Sequence, residues 1–195
     1  MKNQVLETIN KRRSIRKYEN EQISYEELHL ILEAGRYAPS GGNNQTNHFI
    51  VVQNIDILVE LKKLVENEFA QMEVTETMYK SLKYSIFHAK KGGYDFIFNA
   101  PTLVIAANQR GYGNAIADCA VALENMMLAA TSLHIGSCWV NQLKWLTDNP
   151  AILQFMKKLG LADSEIICGG LTLGYPDQEE LQPLSRTGNI VTLIK

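Results

Sequence analysis

Cysteine is scarce in this sequence: Cys119, Cys138 and Cys168 are the only three in 195 residues, widely spaced and odd in number. That pattern fits reduced thiols better than a disulfide framework or a metal site. Charge of one sign is also missing. With 19 basic against 21 acidic side chains the formal charge is −2, so no whole-molecule field draws the chain to nucleic acid or an anionic membrane, and neither is expected as a partner. Long hydrophobic runs are absent too. No stretch approaches the roughly 20 apolar residues of a membrane span, and the opening MKNQVLETINKRRS has no apolar core of a secretion signal. A cytoplasmic protein is expected. The common hydrolase and kinase markers do not occur, whether P-loop, HExxH pair or GxSxG elbow. Gly111-Tyr112-Gly113-Asn114 starts like a dinucleotide fingerprint but has no third glycine, and reads as a helix-entry turn. The four histidines, His29, His48, His88 and His134, share no metal-ligand spacing, so neither a metal nor a catalytic histidine is assigned.

What is present is an ordinary globular composition, 46% hydrophobic and 21% charged. A chain of this length buries roughly 70% of its unfolded surface, and no linker or repeat divides it, so a single domain over 1–195 is expected. Val5, Leu6 and Ile9 suggest a short amphipathic helix ending in the basic run Lys11 to Lys17. Ser24 and Glu27 form a capping-box pattern for a second helix with Leu28, Ile31 and Leu32 on its buried stripe, stopping near Pro39. Phe49–Val52, Thr102–Ala107 and Glu165–Leu173 read as strands, with a further strand over Ile190–Ile194. A helix begins near Asp56. The segment from Glu66 to Asn99 reads as weakly periodic helix broken at Lys91-Gly92-Gly93. Asn114 to His134 is a long helix, capped by Asn114 and apolar on nearly every side, which places it in a core or a subunit interface. Asn149-Pro150 opens another helix, stopped at Gly160. Helices and strands mix without a βαβ rhythm, so the predicted class is α+β.

Two segments carry chemistry. Arg12-Arg13-Ser14-Ile15-Arg16 gathers guanidinium donors and a hydroxyl suited to a phosphate, although cations at a helix end also complement its dipole without any ligand. Ala38-Pro39-Ser40-Gly41-Gly42-Asn43-Asn44-Gln45 combines small residues, which allow close backbone approach, with amides that donate and accept, a chemistry matched to a flavin edge.

In order, RRSIRKY, a helix, APSGGNNQ, the strand HFIVV, then APTLVIAA, DCAVALENMMLAATSLHIGSCWV and GGLTLGYPDQEELQPLSR closely resemble the nitroreductase family from about Lys11 to Arg186. The resemblance implies a central mixed, mainly antiparallel sheet flanked by helices in an intertwined homodimer. It implies flavin mononucleotide (FMN) as cofactor and NAD(P)H as electron donor, with a ping-pong cycle delivering hydride to a nitroaromatic, quinone or related small-molecule acceptor. Arg12, Arg13, Ser14 and Arg16 would lie near the FMN phosphate and ribityl chain, with Arg186 closing from the carboxyl-terminal side. Pro39, Ser40 and Gly41 would line the isoalloxazine ring. Asn43 and Gln45 would reach the cofactor, including one held mainly by the other subunit. Trp139, Val140 and Asn141 would run beside the ring, with the Asn141 N–H toward N5. The tail Pro183–Lys195 would extend across the partner.

The sequence departs from many members at Thr46-Asn47-His48, at Leu184 and at Asn141-Gln142, which bear on the fine geometry of the site. Two other readings share the resemblance: a same-fold flavoenzyme with another reaction, such as dehydrogenation or dehalogenation, and a non-catalytic flavin-binding protein.

Overall fold

A computed structural model describes residues 3–179 and 181–195. Four antiparallel strands form its sheet: β1 (His48–Val52), β2 (Thr102–Gln109), β3 (Gly136–Val140) and β4 (Glu165–Gly174), in the order β1-β2-β4-β3. Around it stand α1 (Gln4–Lys11), α2 (Tyr25–Arg36), α3 (Ile55–Gln71), α4 (Lys80–Lys91), α5 (Ala115–Ser132), the short α6 (Gln142–Trp145) and α7 (Pro150–Lys158). The α+β class and the helix-flanked antiparallel sheet agree with the sequence.

The central strand β2 explains the layering. Its residues Leu103, Val104, Ile105 and Ala106 are all fully buried, because both faces of the sheet are covered. Leu103 and Ile105 face a core made with Leu58, Leu61, Val65 and Phe69 of α3, Ile86 of α4 and Ile152 of α7. Val104 and Ala106 face a second core made with Ile31 of α2 and Cys119, Leu123 and Met126 of α5. A bulge opposite Ala106 and Ala107 leaves Cys168 as the extra residue of β4, since Ala106 pairs with Gly169 and Ala107 with Ile167. The bulge turns Ile166, Cys168 and Leu171 to the α5 side.

Local signals act as their chemistry requires. Ser24 Oγ accepts from the Glu27 amide at 3.2 Å while Glu27 Oε2 accepts from the Ser24 amide at 2.9 Å, which closes the capping box of α2. Asn149 Oδ1 caps α7 ahead of Pro150. Three expectations change. β3 was not among the predicted strands; it is short and carries Gly136, Ser137 and Cys138, a weak strand signature. Ile190–Ile194 forms no strand despite its β-branched residues, because within one chain it has no neighbour and is exposed. Asn114 occupies the cap position of α5, but its side chain makes no capping hydrogen bond.

Large apolar side chains stay exposed at several places. Helix α1 buries nothing and exposes Val5, Leu6 and Ile9; α5 exposes Ile116 and Val121 on the side away from the sheet; the tail exposes Leu184, Ile190, Val191, Leu193 and Ile194. Among the described residues no helix is long and apolar enough to cross a membrane.

Candidate functional site

The basic run leaves α1 and lies against the edge of β3. Ser14 bridges Ser137 in parallel, the Ile15 amide donates to the Ser137 carbonyl at 2.9 Å, and the chain then pairs with the end of β4 through Glu19 N to Tyr175 O and Asp177 N to Lys17 O. Tyr18 locks this course from beneath: its buried hydroxyl donates to Ile15 O at 2.7 Å and shares a hydrogen bond of 2.7 Å with Thr172 Oγ1. Burial pushes the Tyr18 pKa well above the usual phenol range, which keeps that donor in place.

The four polar residues of the run then diverge in role. Arg13 curls back on α1, its guanidinium donating to the carbonyls of Arg12 and, at 2.7 Å, Asn10, as a cation at a helix C-terminus does. Arg12 reaches Glu124 of α5 at 3.5 Å. Ser14 and Arg16 turn toward Cys138 in β3. Burial pushes the Cys138 thiol up, and Arg16, Ser14 and Arg12 oppose that shift. Arg16 also lies over the Phe98 ring, its guanidinium carbon 5.8 Å from the centroid.

β3 runs on into the Trp139-Val140-Asn141 segment. Val140 is the last residue paired, opposite Gly170, so the Asn141 amide lies beyond the ladder. Trp139 Nε1 donates to Asn141 Oδ1 at 2.8 Å, and the indole lies against Gly169, where an added Cβ would come within 3.1 Å of it. The ring and the amide thus fix each other. The residues Arg12, Ser14, Arg16, Trp139, Val140 and Asn141 share one sheet edge.

The second predicted segment, Pro39 to Gln45, is a tight turn held at the start of α5. The Gly41 amide donates to the Asp118 carboxylate at 3.1 and 3.2 Å, while the Tyr112 hydroxyl lies 3.1 Å from Gly41 O and 3.0 Å from Asp118 Oδ2. A Cβ at 41 would stand 2.2 Å from Asn114 Nδ2 and 2.5 Å from the Tyr112 oxygen, so any larger residue must displace those side chains. Ser40 Oγ accepts from the Gln45 amide at 3.0 Å. Asn43 and Gln45 both adopt positive φ, 57° and 52°, a conformation that asparagine tolerates and glutamine holds under strain. Pro39 to Gln45 is anchored by Asp118 and Tyr112, and among the described residues it makes no hydrogen bond to the arginine run. Arg186 lies exposed in the extended tail.

Sequence reasoning missed Asp118, Tyr112, Tyr18 and Cys138. Asp118 left one trace: it is the acidic residue in the first turns of a helix otherwise apolar all round, and a carboxylate buried to 5% exposure needs partners. It missed Phe98 and Asp95 as well, which wall a cavity of about 660 Å³ with Arg16, Lys62, Tyr84 and Tyr94.

Comparison with known proteins bears on the fold and the family. The model of the Nitroreductase family matches residues 9–175. A protein of Archaeoglobus fulgidus named as an NADH dehydrogenase/NAD(P)H nitroreductase is 30% identical over 180 residues, covering 90% of this chain and 87% of that protein. A nitroreductase crystal structure with bound FMN from Bacteroides fragilis superposes with a TM-score of 0.87 at 38% identity, over 99% of this chain and 100% of that one. Another with bound FMN, from Desulfitobacterium hafniense, gives 0.84 at 27% identity and full coverage of both chains. The family model over most of the sequence, together with relatives that share the fold along almost its whole length, places the chain in the nitroreductase family.

Proposed function

We propose that this chain is an FMN-dependent oxidoreductase that acts as a cytoplasmic homodimer, takes hydride from NADH or NADPH, and passes it in a ping-pong cycle to a nitroaromatic, quinone or related small molecule. The observation that carries the reading is the course of the basic run, pinned by the Ser14–Ser137 bridge and the Ile15 amide against β3, the strand that leads into Trp139-Val140-Asn141. Cations and a hydroxyl at one end and a flat, rigid backbone edge at the other suit a phosphate joined to a planar ring.

Buried polar atoms without a partner fit the same group. Among the described residues they include Arg13 Nε, Ser137 Oγ and Thr46 Oγ1, which lie in or beside the segments assigned to the cofactor. Arg12, Arg13, Ser14 and Arg16 would hold the phosphate and ribityl chain, with Arg186 brought in from the tail. Pro39, Ser40 and Gly41 would line the ring, and Asn43 and Gln45 would reach the cofactor in the dimer, where the turn of one subunit meets the sheet edge of the other. Bound FMN supplies the hydride-carrying chemistry. The task of the protein is to orient: Trp139 and Asn141 fix each other and present the Asn141 amide, outside the ladder, to the ring edge. No side-chain nucleophile is required. The exposed apolar residues of α1, α5 and the tail supply the surface a dimer would bury.

The decisive experiment is an absorption spectrum before and after anaerobic addition of NADH or NADPH. A yellow protein that bleaches with nicotinamide and recovers with a quinone supports the proposal. A protein that takes up no FMN overturns it, and a yellow protein that resists both nicotinamides indicates flavin storage. For Arg186→Ala, we expect FMN affinity to fall about tenfold, the loss of one charge-assisted contact at a wet rim, with an unchanged thermal melt of the apoprotein. A titration that gives the parent affinity would remove Arg186 from the site.

A further inference from the structure

The loop that faces Arg16 across the cavity is built on an uncommon backbone. Gly92 and Gly93 have φ of 84° and 79°, and Phe98 and Asn99, which are not glycine, have φ of 57° and 54°. A bulky aromatic residue keeps a left-handed conformation only where its surroundings over-determine it. Here Asp95 does so. Its Oδ1 accepts from the Ile97 amide at 2.9 Å, and its Oδ2 accepts from the Asn99 amide at 2.8 Å and from Lys62 Nζ at 3.2 Å; Lys62 also donates to Asn99 Oδ1 at 2.8 Å. The turn is pinned from the helix α3 side and from within, and its product is the Phe98 ring beneath the Arg16 guanidinium.

The neighbouring cations are held differently. Arg12 pairs with Glu124 and Lys17 with Asp177, whereas among the described residues no acid pairs with Arg16. A carboxylate partner would orient a guanidinium but would occupy its N–H donors and cancel its charge. An aromatic face orients it by cation–π attraction and leaves the donors and the charge available to an anionic ligand.

We infer that Phe98 is a positioning residue for Arg16: the turn organised by Asp95 and Lys62 offers the ring as a neutral platform that holds the guanidinium ready for the cofactor. The inference rests on the proposed role of Arg16 in FMN binding. It distinguishes a purpose for the left-handed turn from mere loop packing.

The test is FMN titration, by flavin fluorescence quenching, of the flavin-depleted full-length protein carrying Phe98→Leu, Phe98→Trp, Arg16→Ala, or Arg16→Ala with Phe98→Leu. Leucine keeps the apolar contact with the core and removes the π face; tryptophan keeps the face. The expected result is that Phe98→Leu raises the Kd about threefold to fivefold, that Phe98→Trp binds like the parent, and that Phe98→Leu adds nothing once Arg16 is alanine. If Arg16→Ala weakens binding and Phe98→Leu weakens it further by its full factor, or if leucine binds like the parent, the inference is overturned while the proposed function stands. If Arg16→Ala itself leaves FMN affinity unchanged, the underlying reading of Arg16 is overturned and the inference goes with it.

Discussion

Replacing Asp118 with alanine is expected to lower the unfolding free energy by about 3 kcal/mol and to weaken FMN binding by about tenfold or more. The carboxylate is 5% exposed and accepts from the Gly41 amide with both oxygens, and the Tyr112 hydroxyl lies within hydrogen-bond distance of it. Hydrogen bonds to a charged group contribute about 1.5 to 3 kcal/mol each, and deletion leaves the half-buried Gly41 amide without this acceptor. The stability loss is the smaller half of the argument. Gly41 is wedged against Asn114 and Tyr112, and the positive-φ residues Asn43 and Gln45 follow immediately. Without the anchor those strained conformations have no reason to persist, so the turn relaxes and its proposed contacts with the ring are lost. Asp118→Asn keeps one acceptor oxygen and should fall between parent and alanine. Urea unfolding of the apoprotein measures the first effect and flavin titration the second. A loss below about 0.5 kcal/mol with full FMN affinity would show that the turn holds its shape without the carboxylate.

Asp118 also shows where legibility in the sequence ends. The turn Pro39–Gln45 was visible by composition and the basic run by charge. The strand Thr102–Ala107 was visible as a continuous apolar run, because burial on both faces removes any polar alternation. The capping box at Ser24 and Glu27 was visible because cap chemistry is local. The partners of the turn were not: Gly41 and Asp118 stand 77 residues apart, and no local pattern joins them. β3 escaped because Gly136, Ser137 and Cys138 have small side chains, and its strand character comes from pairing with β4. Ile190–Ile194 was read as a strand for the opposite reason, with the right side chains and no partner in its own chain. The segment 66–99 was blurred because α3 ends at Gln71 and α4 begins at Lys80, and the organising contacts of its loop, Lys62 to Asp95 and Asn99, lie 33 and 37 residues apart.

Phe69→Ala should be the most destabilising of the variants considered, at about 4 kcal/mol, or roughly 10 °C in Tm for a chain of this size. Phe69 is completely buried where α3, α4 and α6 meet, with its ring edge-on to Tyr94 at 6.3 Å and to Trp145 at 6.5 Å. The cavity left by truncation would open beneath Tyr94, which holds three elements together: its hydroxyl bonds Ser85 Oγ of α4 and accepts from Gln142 Nε2 of α6, each at 2.7 Å, and its amide donates to Glu66 Oε1 of α3 at 2.7 Å. Burial pushes the Tyr94 pKa up, so the hydroxyl remains protonated in this network. Collapse around the void would therefore loosen the loop that follows Tyr94, and with it the turn beneath Arg16. The contrast with Asp118→Ala is informative. Phe69→Ala should lose more stability than affinity, because the arginine run is fixed separately through Ser137 and Tyr18, whereas Asp118→Ala should lose more affinity for each kcal/mol of stability. Melting at a fixed flavin concentration, together with apoprotein unfolding in urea, separates the two, since ligand binding itself raises Tm. If both variants lost affinity in the same proportion to stability, the sheet edge and the turn would be one cooperative unit, contrary to their separate anchors.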